Sequence, residues 1–193
     1  MRPPGIGYSP PMAFLAHLLL FAVGAVAGTA LDHLHVAGGV LRYPHPAFWR
    51  EAWFVPPLFG AATVGFVLLW RIAFRGNAAR SPGAARVAMG SADFVLAYAV
   101  SVLFSGSPWI ALALLAGSWV PMASSAGGRA AAYGAAVALL GVAAESLLCH
   151  AGAFFYAVPV ETSLLVPVWL PGLYLHASLL TRALDETYFA PAA

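Results

Sequence analysis

The chain alternates between long apolar runs and short polar connections. Six of the runs approach the roughly 20 residues that an α-helix needs to cross a hydrocarbon core of about 30 Å. The connections hold most of the charged residues, together with glycine, proline and serine, which favour turns. The pattern therefore predicts an all-α integral membrane bundle, a single domain over residues 1–193 with six transmembrane helices at about 12–31, 53–74, 87–104, 109–123, 130–150 and 167–184.

Composition agrees with a chain that dissolves in lipid. Of its 193 residues, 62% are hydrophobic and only 8% are charged, whereas soluble domains are about one-quarter charged. A soluble fold of this size would expose apolar surface and aggregate. No basic cluster is large enough to indicate a nucleic-acid partner. The surrounding partner that the composition predicts is the bilayer itself.

Arginine positions predict the orientation in the membrane. With a cytoplasmic N-terminus, seven arginines lie inside and only Arg42 and Arg50 lie outside, which satisfies the positive-inside rule. Both termini are then cytoplasmic. A chain rich in alanine, glycine and arginine, without lysine, indicates a GC-rich coding genome and hence a bacterial inner membrane. The seven inside arginines are Arg2, Arg71, Arg75, Arg80, Arg86, Arg129 and Arg182.

Polar groups at membrane depth are costly and are therefore the first candidates for function. Asp93 in span three and Glu145 in span five can each hydrogen-bond a neutral ligand head, or simply join two helices. Asp32, His33 and His35 follow span one, but their spacing matches no zinc pattern. No nucleophile motif is present. The sequence thus predicts no catalytic residue, no metal and no cofactor.

Two prolines predict an internal cavity. Pro121 and Pro171 fall within spans four and six, where each bends its helix and prevents flush packing. An amphiphile can fill the resulting space. Because no basic cluster lies at membrane depth to receive a phosphate, a neutral lipid is favoured over a phospholipid. The candidate lipid-binding residues are Trp53, Phe54, Phe59, Phe94, Tyr98, Trp119, Glu145 and Trp169.

Three short motifs resemble the insulin-induced gene (Insig) family. Residues 52–60 read Ala-Trp-Phe-Val-Pro-Pro-Leu-Phe-Gly, similar to the family's Ala-Trp-Trp-Val-Pro-Pro-x-x-Gly before span two. Residues 169–171 resemble the Trp-Leu-Pro that opens its sixth helix, and residues 147–152 resemble its Leu-Leu-x-x-x-Gly. The resemblance implies a bacterial homologue with six spans and a non-enzymatic role in lipid sensing. Eukaryotic Insigs bind oxysterols and retain a sterol-sensing escort protein, but residues 122–126 lack the acid that those members carry after span four.

The leading hypothesis is therefore an Insig-like sensor that holds a diacylglycerol-like or sterol-like lipid in an intramembrane cavity. The main alternative is a small membrane enzyme that acts on a lipid or isoprenoid through Asp93 and Glu145. A transporter would show inverted repeats and a polar path, and neither is seen. The sequence leaves open a homo-oligomer or a second membrane protein as a partner.

Overall fold

A computed structural model describes residues 10–75 and 83–189. Within those ranges the chain forms six helices, which confirms the predicted all-α membrane bundle: α1 Pro10–Ala37, α2 Val55–Leu69, α3 Ala84–Leu103, α4 Pro108–Ala126, α5 Gly128–His150 and α6 Leu170–Leu184. Helices α2 and α6 each continue into a π-helical turn, Trp70–Phe74 and Asp185–Phe189. Arg2 and Arg80, which entered the orientation prediction, lie outside the described residues.

Helix α6 lies at the centre of the six. The other five are long and apolar enough to cross a membrane, whereas α6 and its π-helical turn carry the charged residues Arg182, Asp185 and Glu186. It packs against α2, α3, α4 and α5. More than half of its residues are buried, among them Leu170, Leu173 and His176. Its neighbours therefore shield α6 from lipid.

Helix α1 continues past the predicted end at Leu31 to Ala37. Asp32, His33 and His35 consequently lie on its last turns, and the expectation that they belong to a polar loop is wrong. Charged side chains do not stop a helix whose flanking residues still pack. The helix ends instead before Gly39, which adopts a left-handed φ of 72°, the conformation that commonly terminates helices.

The prolines divide into two groups. Pro121 lies inside α4, as expected. Pro171 lies in the first turn of α6, and Pro56 and Pro57 occupy the same place in α2. The first turn has no helical acceptor for its amides, so Pro171 removes no hydrogen bond from α6. Pro171 therefore gives no reason for span six to bend, contrary to the prediction.

The two ends of the bundle differ in chemistry. At one end, β1 (Leu41–Arg42) pairs antiparallel with β2 (Phe155–Tyr156) and joins the long connections before α2 and before α6. We call this the sheet end. At the opposite end the chain gathers four arginines on the ends of α2, α3 and α6, and we call it the arginine end: Arg71, Arg75, Arg86 and Arg182.

Candidate functional site

A buried polar cluster lies between the helices near the sheet end. Glu145 on α5 accepts hydrogen bonds from Tyr174 of α6, at 2.6 Å, and from Tyr156 of β2. Asp32 on α1 accepts one from Tyr43 at 2.8 Å. Burial and the adjacent carboxyl groups raise the pKa of Tyr43 and of Tyr156 above the ordinary value. Both hydroxyls therefore stay protonated and act as donors.

An aromatic wall borders this cluster. Trp169, fully buried at the start of α6, lies 5.6 Å from the His35 ring and 6.0 Å from the Tyr156 ring. Tyr98 lies 4.7 Å from His35 and 5.2 Å from Phe94. The Trp169 indole N–H has no acceptor among the described residues. Buried donors are nearly always paired, so this group is available to an oxygen that the described chain does not supply.

The structure brings together four of the eight predicted lipid-binding residues. Phe94, Tyr98, Glu145 and Trp169 meet in or beside the polar cluster.

Of the other four predicted residues, Phe54 touches the cluster through Tyr43, whose ring lies 6.0 Å from its own. The remaining three lie elsewhere, and Trp53 is 73% exposed. Phe59 packs between α1 and α2, whereas Trp119 packs between α4 and α5, where its ring lies against Gly134.

Asp93, the other candidate carboxyl group, lies on a separate feature. A groove of about 410 Å³ opens between α3, α4 and α6 at the arginine end, and we call it the α3/α4/α6 groove. Asp93 lines it and lies 2.6 Å from Nδ1 of the buried His176. Nε2 of His176 is 3.0 Å from the Leu115 carbonyl, which can only accept, so Nε2 carries a proton. A hydrogen bond joins the Nδ1 atom to Asp93.

The charges around the α3/α4/α6 groove are paired with one another. Glu186 accepts a hydrogen bond from Arg86 at 2.9 Å and another from Arg182 at 2.7 Å. Asp93 is paired with His176. The remaining walls are mostly apolar and include Met89, Met122 and Leu179.

A second group of ion pairs, also at the arginine end, lies beside the one formed by Glu186. Asp185, fully buried, accepts from Arg71 at 2.9 Å and from Arg75 at 3.0 Å. Sequence reasoning missed this group, because Asp185 is more than one hundred residues from both arginines. The usable signal was topological: helices two and six must end at the same side, where one carries arginines and the other carries acids.

At the sheet end, His33 lies 3.2 Å from the buried Glu51. Burial raises the pKa of Glu51, and the His33 ring opposes that rise. Over residues 10–75 and 83–189, no three His, Cys, Asp or Glu side chains converge into a metal site.

Comparison with known proteins returned matches that span nearly the whole chain. No family model matches. A curated Insig protein homologue from Mycolicibacterium vanbaalenii is 29% identical over 175 residues, which is 88% of this chain and 84% of that protein. Two crystal structures of the Insig homologue MvINS from Mycobacterium vanbaalenii are also similar. One, with 28% identity and a TM-score of 0.78, is matched over 89% of this chain and 92% of that one. The other is a cross-linked MvINS trimer with 29% identity and a TM-score of 0.77 over 88% and 92%.

Proposed function

We propose that this chain, which is similar to the Insig homologue of Mycolicibacterium vanbaalenii over 88% of its length, is a non-enzymatic lipid sensor. It holds a neutral lipid, diacylglycerol-like or sterol-like, between its helices. The observation that carries this proposal is the α3/α4/α6 groove, whose apolar walls end in polar groups that are already paired.

The size and chemistry of the groove suit an amphiphile. Its volume of about 410 Å³ falls within the range of about 300–1,000 Å³ typical of ligand pockets. Met89 and Met122 offer flexible apolar surface that adapts to an irregular chain or ring. Asp93 and Ser125 supply acceptor oxygens for a lipid hydroxyl group.

The paired charges favour a neutral head over a phosphate. Two carboxylates, Asp93 and Glu186, line the groove together with two arginines, Arg86 and Arg182. The acidic and basic side chains therefore balance, and no excess positive charge remains to hold a phosphate. A neutral lipid needs no such charge, and we favour a diacyl neutral lipid.

Phe94 and Tyr98 of α3 and Trp169 at the start of α6 lie closer to the sheet end. We propose that they contact the far end of the lipid. Glu145 supports this wall through Tyr156. Trp53, Phe54, Phe59 and Trp119 are left out of the proposed site.

We also propose that the arginine end faces the cytoplasm, in a bacterial inner membrane. Arg71, Arg75, Arg86 and Arg182 lie at this end, whereas Arg42 and Arg50 follow α1 at the sheet end. That asymmetry is what the positive-inside rule requires.

The test is native mass spectrometry of the protein purified in mild detergent, with extraction and identification of bound lipid. We expect about one neutral lipid per chain. Met122→Trp, which fills the groove, should lower its retention about tenfold, the loss expected when about 1.4 kcal/mol of binding free energy is removed. The matched change Leu139→Trp, on a 73% exposed position of α5, should have no effect.

A wild-type protein that carries no stoichiometric neutral lipid would contradict the proposal. The same spectra report the number of chains per particle. Because MvINS has been crystallised as a cross-linked trimer, we propose that this chain also forms a homo-oligomer.

One observation favours an enzyme as the second candidate. The Asp93–His176 pair borders the groove, and a carboxyl–imidazole pair is a common general acid–base arrangement. Such an enzyme would act on a lipid or isoprenoid. Turnover of a labelled lipid that is lost in Asp93→Asn or Glu145→Gln would favour it over the sensor.

A further inference from the structure

A second groove runs along the outside of the bundle between α1 and α2, and we call it the α1/α2 groove. Its volume is about 410 Å³ and its walls are almost entirely apolar, formed by Phe14, Leu18, Phe21, Val64 and Leu68. Phe14 and Leu18 are 71% and 51% exposed. Gly65 forms part of the wall, and a Cβ at this position would meet no atom within 4 Å. Since both helices span the membrane, the groove faces acyl chains.

The arginine end of the α1/α2 groove carries positive charge. His17 lines the groove, and its Nε2 lies 3.3 Å from Nη1 of Arg71. Arg71 and Arg75 share a single carboxylate, that of Asp185, at 2.9 and 3.0 Å. Two guanidinium groups against one carboxylate leave a net positive charge at this point.

The same arginines have donors to spare. Nη2 of Arg71 and Nε of Arg75 are buried, and no acceptor reaches either of them among residues 10–75 and 83–189. A guanidinium group carries five N–H donors and no acceptor, and a buried donor without an acceptor is costly. The geometry therefore calls for an additional anionic oxygen. The α3/α4/α6 groove differs, because Asp93 and Glu186 supply it with two carboxylates for its two arginines.

We propose that the α1/α2 groove binds an anionic phospholipid from the leaflet at the arginine end. One acyl chain lies along the apolar walls, and the phosphate accepts hydrogen bonds from Arg71 and Arg75. Guanidinium groups match the geometry of phosphate oxygens, and anionic lipids are a feature of the cytoplasmic leaflet. The lipid would add the anion that Asp185 alone does not supply.

The experiment compares phosphatidylglycerol with phosphatidylcholine of the same acyl chains, each titrated into the delipidated full-length protein and measured by native mass spectrometry. We expect phosphatidylglycerol to be retained about tenfold better, since two basic side chains act on one headgroup. Added salt should reduce that preference. Arg75→Gln should also reduce it, although this change disturbs Asp185 as well.

Gly65→Phe is the decisive test of lipid binding in the α1/α2 groove, because it fills the groove and leaves both arginines in place. Gly117→Phe on α4 is the matched control: it is the same change at a position that is likewise open and lines neither groove. We expect about tenfold weaker phosphatidylglycerol retention in Gly65→Phe and none of that loss in Gly117→Phe.

Equal retention of the two lipids by the wild type would overturn the proposal. A Gly65→Phe protein that keeps its preference for phosphatidylglycerol would also overturn it. If Gly65→Phe changed only the number of chains per particle, the occupant of the groove would be a second copy of the chain and not a lipid. Retention of neutral lipid should be unchanged in Gly65→Phe, which separates this proposal from the one for the α3/α4/α6 groove.

Discussion

Gly141 on α5 determines where the Tyr174 ring can lie. A Cβ at position 141 would stand 2.3 Å from ring atoms of Tyr174, and the ring is held because its hydroxyl donates to Glu145. We expect Gly141→Ala to destabilise the protein by about 1–3 kcal/mol, the usual cost of overpacking a core. Thermal unfolding in detergent measures this.

The control for that measurement is Gly117→Ala, where a Cβ has open space. It should be neutral or gain up to about 1 kcal/mol, because alanine favours a helix over glycine. If Gly141→Ala unfolded at the wild-type temperature, the contact between α5 and Tyr174 would be looser than described.

Single residues of the site were predictable where they interrupt an apolar run. Glu145 stands out in the sequence for that reason. Its partners do not, because Tyr156 lies in a connection and Tyr174 on another helix, and tyrosines near span ends are ordinary interface residues. The Asp93–His176 pair was hidden in the same way, since only the packing of α3 against α6 joins them.

Among the helices, α4 is the one with a proline in its interior. Pro121 provides no amide donor for the carbonyl of Gly117. It lies one residue before Met122 and one helical turn before Ser125, which both line the α3/α4/α6 groove. Pro121→Ala restores that hydrogen bond, so we expect higher thermal stability, by up to about 3 kcal/mol.

The same substitution should also lower retention of the neutral lipid, because a regular α4 places the groove wall differently. Thermal unfolding and lipid extraction on one preparation check both effects. A variant that gains stability and keeps its full lipid content would show that the groove does not depend on Pro121.

Hydropathy was enough to predict that six helices exist, but it does not determine where they end. Lipid selects apolar length, whereas ends depend on local backbone geometry and on packing. The left-handed Gly39 ends α1 well beyond Leu31. The π-helical turns at Trp70–Phe74 and Asp185–Phe189 have no counterpart in the hydrophobic pattern.

For the molecule as a whole, Asp185 joins helices from opposite ends of the sequence. It is fully buried between Arg71 and Arg75. Asp185→Asn leaves two guanidinium groups without their counter-charge, and we expect a loss of about 3–5 kcal/mol, the usual cost of removing one partner of a buried ion pair. Thermal unfolding measures this, with the exposed Glu161→Gln as the control. Equal stability of the two variants would contradict the structural role of Asp185.

The two grooves were beyond the reach of the sequence. Each is a gap between helices, and the hydrophobicity of the helices does not determine which of them pack together. The ion group at the arginine end was hidden for the same reason. Arg71 and Arg75 meet Asp185 only because α2 and α6 end side by side.

The polarity of α6 has a consequence for biogenesis. His176 and Thr181 lie inside this segment and are buried only because the neighbouring helices cover them. Polar side chains that face hydrocarbon are costly, so the insertion machinery has little reason to release this segment into lipid by itself. We therefore expect α6 to insert efficiently only when the helices that cover it are already in the membrane.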